Sequence, residues 1–373
     1  MDLHDLTSFM YRPLDFPLLL LPGIFIIGAI VGSLLNVCIL RIPLEKSVFW
    51  PDSHCYSCVK PIAWYDNIPI LSYWRLGGKC RNCGAEFAVR YFWIEVGMGV
   101  VFAATFWWDI HLPERVKASL VPGQVYVPIA KSGLLLLWVF HVTLLSFLVV
   151  ASFIDLDHRE IPLRVTVPGT LIGIGFSFWL GYPWPLTTPI PTAPQFGGLD
   201  LPTFFALPNA AHFWPYWAPP LDLTPYGSAA MGLTTSLVGA LVGTGLVRTI
   251  RGIFSWGFGK EAMGLGDADL LMLIGAYLGW QAIFLSFAWG VLLLGAYALI
   301  FGFIFRTGRE LPFGPALALG AVLTVWAPLP VPLLTQKYFF DGLLILGLAT
   351  MAGMIALIMA FLIRSFRLVR QAG

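Results

Sequence analysis

"PLLLLPGIFIIGAIVGSLLNVCIL", Pro17 to Leu40, runs for 24 residues without a charged side chain. At the rise of an α-helix this stretch makes a rod of about 36 Å, enough to cross the ~30 Å hydrocarbon core of a bilayer. The rest of the chain has the same character: 58% of its residues are hydrophobic and 11% charged, whereas charged residues make up about a quarter of a soluble domain. The composition excludes an ordinary globular fold and indicates an all-α polytopic membrane protein. Further apolar runs near 91–109, 134–154, 164–181, 228–249, 267–281, 283–305, 313–329 and 340–364 bring the expectation to about eight or nine transmembrane helices. Ahead of the first run, "MDLHDLTSFMYRPLDF" has no clustered basic region and no small-residue cleavage site, so no removable signal peptide is expected.

Lysine and arginine set the orientation, because cytoplasmic loops collect them. With the N-terminus outside, the connections 41–90, 155–163, 250–266 and 306–312 and the tail after Leu362 lie inside. Together with Arg164 and Arg248 they hold 17 of the 22 basic residues, leaving Arg12, Arg115, Lys117, Lys131 and Lys337. Loop 110–133, with three of those five, fits the outside least well. No lysine or arginine occurs from Val165 through Val247. That stretch includes a loop rich in proline and aromatic residues, 182–227, expected to lie irregularly against the outer membrane surface.

One polar insert, Arg41 to Arg90, separates the first two spans. It contains "HCYSCVKPIAWYDNIPILSYWRLGGKCRNCG", in which Cys55-x2-Cys58 and Cys80-x2-Cys83 are separated by 21 residues. Two such knuckles are the pattern of a tetrahedral four-cysteine zinc site. Gly84 supplies the turn after the second knuckle. Two disulfides would require an oxidising compartment, while the charge bias puts the insert in the reducing cytoplasm. A redox pair would call for a thioredoxin-like βαβ unit, which the surrounding sequence lacks. About fifty residues bury little core, so a metal ion is expected to fasten this module. His54 reads as a surface histidine or a spare ligand, and Cys38, within the first span, as packing. Glu95 in "YFWIEVGMGV" lies one turn into the second span, either at the interface or facing the protein interior.

Two acidic sites remain. "FIDLDHREIP" closes the third span with Asp155 and Asp157, and "GLGDADLL" opens the sixth with Asp267 and Asp269. The third span runs inward to Asp155 and the sixth starts inside at Asp267, so both sites fall on one face at similar depth. An ionised carboxylate in hydrocarbon costs roughly 2.5 to 3.5 kcal/mol on insertion scales, and such residues usually face a cavity or a partner. Two carboxylates brought together share a proton, and such a dyad can activate water with one member while the other donates. Gly264 and Gly266 would let a substrate backbone approach Asp267, and Pro162 holds Asp155 near a helix break. Either acid alone could instead be a helix cap at the interface.

Three classes accommodate these acids. An aspartyl endopeptidase needs only the dyad. A magnesium-dependent membrane phosphotransferase could use Asp155-x-Asp157 and Asp267-x-Asp269 around an ion, but it needs basic residues beside both pairs, and "GLGDADLL" offers none. A carrier using the acids as a proton relay leaves the cysteine module and the glycine turn without a role.

Taken together, "GSLLNVCILRIP" at Gly32–Pro43, the cysteine knuckles around "WYDNIPILSYWRLGGKC", "RYFWIE" at Arg90–Glu95, "IDLDHREIP" at Ile154–Pro162 and "EAMGLGDADLLMLIGAYLGW" at Glu261–Trp280 resemble the bacterial type IV prepilin peptidases. The resemblance implies a GxGD-type membrane aspartyl protease with Asp155 and Asp267 as catalytic pair, supported by Gly264, Gly266 and Glu95. Asp157 is the less favoured of its pair. It implies removal of the short basic leader of type IV prepilin or pseudopilin precursors, after a glycine, at the cytoplasmic face of the inner membrane. Such precursors serve type IV pili or type II secretion. Methylation of the new N-terminus from S-adenosylmethionine is implied too, although no G-x-G-x-x-G fingerprint occurs. Membrane lipid is the other partner, and no nucleic-acid partner is expected.

The resulting domain plan is a first helix 17–40, a cytoplasmic zinc module 41–90, and helices two to four with the first catalytic aspartate at 91–181. A periplasmic loop 182–227, helices five to seven with GxGD at 228–305, and C-terminal helices with a tail at 306–373 complete it. Two positions depart from the family pattern: Leu163 stands where aspartate or asparagine is common, and Asp269 where lysine is common. The missing lysine takes a positive neighbour from Asp267. The loop 182–227 and the span 340–364 look like additions to the family plan.

Overall fold

The computed structural model describes residues 15–111, 126–127, 133–180, 186–187, 211–212, 229–300, 312–326 and 342–372. Most of loops 110–133 and 182–227, and with them the expectations placed there, lie outside the described residues. The chain divides into two compact units, Met1–Leu112 with Gly133–His158, and Pro113–Ser132 with Arg159–Gly373.

In the first unit, α1 (Asp15–Arg41), α3 (Arg90–Ile110) and α4 (Gly133–His158) are long and apolar, and α2 (Leu71–Leu76) is a short helix of the intervening module. Packing of α1 on α3 is backbone-close. A Cβ on Gly32 would stand 2.8 Å from the Glu95 Cα, and one on Gly28 would meet Met98 and Gly99. Small residues at helix contacts let dispersion act where the hydrophobic effect between lipid-bathed helices is absent. Asn36, buried on α1, donates to the Tyr91 carbonyl at 3.1 Å, and Trp138 of α4 donates to the Phe102 carbonyl of α3 at 3.1 Å.

The second unit holds α5 (Leu163–Leu180), α6 (Ala229–Phe258), α7 (Leu265–Leu278), α8 (Trp280–Tyr297), α9 (Phe313–Val325) and α10 (Gly342–Ala372). Three two-residue strands, β1 (Tyr126–Val127), β2 (Leu186–Thr187) and β3 (Ala211–His212), pair antiparallel in the order β1-β2-β3. Its core is α7, packed against α5, α6, α8 and α9 and buried almost throughout from Ala268 to Leu278. Glycines make that burial possible. Gly239 and Gly275 face each other backbone to backbone, and Gly243 lies against the Leu271 carbonyl, so any side chain there would collide with main chain. At the far end of α7 the Ala276 carbonyl accepts from Ser236 at 2.7 Å and from Ser177 at 3.3 Å. Two hydroxyls thereby satisfy an acceptor that helix termination leaves exposed.

Among the described residues, seven helices are long and apolar enough to cross a membrane: Leu18–Arg41, Arg90–Ile110, Leu135–His158, Leu163–Leu180, Ala229–Phe258, Trp280–Ile300 and Gly347–Ser365. The two other segments read as spans are also helical but shorter, 14 residues in α7 and 13 in α9. The run read as 267–281 stops at Gly279, whose φ of 79° ends α7 and caps α8. Such a left-handed conformation suits glycine.

Candidate active site and metal cluster

The two cysteine knuckles fold alike. In the first, the Val59 N–H donates to the Cys55 carbonyl at 2.7 Å and the Cys55 N–H to the Lys60 carbonyl at 3.0 Å. In the second, Gly84 donates to Cys80 at 2.9 Å and Cys80 to Ala85 at 2.8 Å. Bridges His54–Pro61 and Lys79–Glu86 close the equivalent ends. Both turns need a positive φ at the fourth residue after the first cysteine: 72° at Gly84 and 59° at Val59, a conformation a β-branched residue rarely adopts.

The four Sγ atoms lie within 4.8 Å of one another, with Cys55 and Cys83 3.7 Å apart, and no disulfide forms. Tetrahedral Zn–S bonds of ~2.3 Å imply sulfur separations of about 3.8 Å, so the cluster can hold a metal ion of that kind. N–H groups of Cys58 and Ser57 pull the Cys55 thiol down to about 6. Against an N–H from Ala85 that lowers it, burial and the other three cysteines push Cys83 up to about 12. A divalent cation among the four sulfurs would hold all of them as thiolates. His54 is not part of the cluster; its Nδ1 lies 2.9 Å from the Asp52 carbonyl.

Elsewhere the module is tied by ions and backbone. Asp66 accepts from Arg75 at 2.7 Å and from Arg81 at 2.6 Å, and Arg81's hydrogen bond, followed by Arg75's, holds its carboxyl below the usual range against the opposing effect of burial. Glu95 turns to the protein interior, where its Oε2 accepts the Ile70 N–H at 2.7 Å. Between the module and the adjoining ends of α1 and α3 lies a cavity of about 530 Å³ lined by Asn36, Asp52, Tyr56, Asp66, Tyr73 and Glu95 among others. That volume suits a ligand of nucleoside size.

Asp155 and Asp157, two residues apart on α4, have different surroundings. Asp155 is buried, and Asp157 is exposed with both oxygens on Arg90 Nη1 at 2.6 and 2.8 Å. After α4 the chain turns through Arg159, φ 58°, to Pro162, where α5 begins. In the second unit that connection runs over the start of α7. A Cβ on Gly266 would stand 3.0 Å from the Ile161 Cβ and 3.1 Å from the Ile161 nitrogen.

Asp267 is the third residue of α7, whose N-cap is Gly264 in extended conformation. A carboxylate in the first turn faces the positive end of the helix dipole. The Cα of Gly264 points into space where the nearest atom is Asp267 Oδ2, 3.7 Å from the position of a Cβ. The loop into α7 is braced from α6: Arg251 donates to the Met263 carbonyl at 2.8 Å and to Glu261 at 2.7 Å, and the Ser255 hydroxyl accepts the Ala262 N–H at 3.1 Å. Asp269, buried, meets Arg248 of α6 at 3.3 Å. Sequence reasoning placed Arg248 only as a flanking charge and missed this pairing, which brings a positive group to the first turn of α7 from a neighbouring helix. Asp157 and Asp269 are thus each engaged by an arginine.

Residues 26–108 match the bacterial peptidase A24 N-terminal domain, and residues 142–199 and 201–299 match the type IV leader peptidase family. A "type 4 prepilin-like proteins leader peptide-processing enzyme" of Escherichia coli O78:H11 (strain H10407 / ETEC) is 30% identical over 338 residues, 85% of this chain and 96% of the relative. The chain belongs to the type IV leader peptidase family. Another relative of this leader peptidase chain is the "prepilin leader peptidase/N-methyltransferase" of Myxococcus xanthus (strain DK1622), 32% identical over 263 residues. That alignment covers 70% of this chain and 56% of the relative. A protein of the same description from Pseudomonas putida is 27% identical over 331 residues, 81% of this chain and 88% of the relative. No solved structure matches this family member.

Proposed function

We propose that this chain is a membrane-embedded aspartyl endopeptidase that removes the leader of type IV prepilin or pseudopilin precursors at the cytoplasmic face of the inner membrane. The surroundings of Asp267 carry the reading: a carboxylate in the first turn of a buried helix, beside Gly264, which adds no side chain between it and a substrate backbone. Asp155, buried at the end of α4, is its partner, and Asp157, occupied by Arg90, is not.

The dyad holds one proton between two carboxylates, because like charges at close range do not both ionise. The ionised member takes a proton from water as its oxygen attacks the scissile carbonyl, and the protonated member donates to the carbonyl oxygen. Collapse of the tetrahedral intermediate returns a proton to the leaving amine. Gly264 adds no side chain beside the Asp267 carboxylate, and Gly266 allows the Ile161 segment to lie against the helix start.

The four cysteines are assigned a structural zinc ion, which closes the module and takes no part in cleavage. Methylation of the new N-terminus is assigned to the cavity in the first unit. S-adenosylmethionine would supply an activated methyl group there; Tyr56 and Tyr73 offer faces for a purine, and Asp52 and Glu95 lie within reach of a cationic sulfonium. The test incubates purified protein with a tagged prepilin and reads the product by mass spectrometry. Cleavage after the leader glycine, with a further gain of one methyl only when S-adenosylmethionine is present, supports both reactions. An uncut precursor overturns the first, and a cut but unmethylated product overturns the second.

A further inference from the structure

The turn from Ile68 to Leu76 lies deeper than a cytoplasmic loop should. Glu95 is the sixth residue of α3, about 7.5 Å along the axis from Arg90. At 21 residues α3 rises about 31 Å, scarcely more than the hydrocarbon core, so this depth falls inside the membrane boundary. The Ile70 backbone, with φ 65°, is held to the carboxylate that extends from this position.

Backbone at such depth must satisfy its polar groups within the protein. Here it does. Ile68 N–H donates to the Ser72 hydroxyl at 2.9 Å, Ile70 to Glu95, Leu71 to the Pro69 carbonyl at 2.6 Å, Ser72 to Ile68 at 3.0 Å and Trp74 to Ile70 at 3.3 Å. Pro69 has no N–H to satisfy.

Apart from Arg75, whose side chain is 53% exposed, the outward side of this turn is apolar. Leu71 is 67% exposed and Trp74 is 74% exposed, and Trp93 on the membrane-crossing α3 is 62% exposed. Phe92 joins them, its ring centroid 6.3 Å from Trp74 and 5.3 Å from Trp93. Arg75, beside Leu71 on the helix, turns its guanidinium onto Asp66 at 2.7 Å. Tryptophan favours the acyl–headgroup boundary, where an apolar ring and a polar N–H are both accommodated.

We infer that α2 and its preceding turn are a membrane foot: Leu71 and Trp74 extend the lipid-facing surface of α3 into the leaflet that α3 enters at Arg90, and Glu95 secures the inserted backbone. Lipid is the occupant because the face continues the surface that a crossing helix already presents to lipid, and the exposed Arg75 beside it is paired with Asp66. The foot anchors the cysteine module at the membrane plane.

Full-length protein carrying a photo-crosslinking phenylalanine analogue at position 71 or 74 is reconstituted in phospholipid nanodiscs and irradiated. Position 241 on α6, an exposed leucine of a candidate span, is the lipid-facing reference. Phospholipid adducts at 71 and 74 within about threefold of those at 241 are expected. Glu95→Ala lowers the yield at 74 at least fivefold with metal content unchanged, and Glu95→Gln, which keeps an acceptor, restores it. Adducts at 71 and 74 with protein alone, or none while 241 labels with lipid, overturn the proposal. So does an unchanged yield at 74 in Glu95→Ala, because Glu95 is then not what secures the turn.

Discussion

The cysteine module and the α6–α7 hairpin each position polar groups at a membrane, and they do so by opposite means. In the module, loops with little apolar core are gathered by four sulfurs and by one carboxylate, Asp66, that holds both Arg75 and Arg81. In the hairpin the holding is done by missing side chains: Gly239, Gly243 and Gly275 let two backbones touch, and hydroxyls supply the carbonyl that helix termination leaves over. Water gives the module chemistry to compete against, so strong ligands are required. Lipid offers no such competition, so shape is enough. The module should therefore fail to chemical agents and the hairpin to steric ones.

Substitution at the acids has the largest expected effect. Asp155→Asn and Asp267→Asn should each lower prepilin cleavage by at least about 1000-fold, whereas Asp157→Asn, which loses only the contact with Arg90, should stay within about threefold; gel-shift rates of a tagged precursor decide it. Next in size is overpacking of the hairpin. Gly243→Leu forces a side chain onto the Leu271 carbonyl, and a cost of about 3 kcal/mol or more should appear as a lowered unfolding temperature with cleavage lost. The same variant should keep its metal content, measured by elemental mass spectrometry.

Chelation draws the contrast from the other side. Stripping the metal should make 41–90 sensitive to limited proteolysis while α6 and α7 remain resistant, and a resistant stripped module would end the idea that sulfur ligation fastens it. A smaller effect is expected from Arg248→Ala, which leaves Asp269 without its α6 partner. Arg248 is more than half exposed, so screening limits the change in cleavage to roughly fivefold, about 1 kcal/mol, and Arg248→Lys should recover most of it. Least of all is the acid response of Asp66. Its folded pKa is depressed, so its contribution is complete above the unfolded value of about 3.9 and is lost as pH falls through the lower folded value. Proteolysis of wild type and Asp66→Asn should differ at neutral pH and converge as pH drops below about 4.

Much of this was legible from local pattern. Lipid demands long apolar runs, so all nine segments read as spans contain helix, and cysteine spacing announced the cluster before any coordinate did. Less legible were the partners that distant segments supply. Arg90 reaches Asp157 across 67 positions, Ile70 reaches Glu95 across 25 and Arg248 reaches Asp269 across 21. None of these separations has a helical or strand period, so only tertiary packing reveals them. Asp269 shows the cost of reading locally: taken as the loss of a positive neighbour, it sits opposite an arginine from the next helix. Glu95 left two readings open, and its bond to Ile70 selects the interior one. The first knuckle hides its strain as well, because Val59 adopts a turn that the second knuckle gives to glycine.

The 14 residues of α7 reach only about 21 Å, some 9 Å less than the hydrocarbon core is thick. Both ends of this helix cannot touch headgroups at once. At the Ala276 end two serine hydroxyls stand in for the aqueous phase, so the deficit can fall at that end and leave the start of the helix, with Asp267, at the headgroups. A precursor whose cleavage site lies near the membrane surface would there meet hydrolytic water without leaving its own lipid-embedded segment behind.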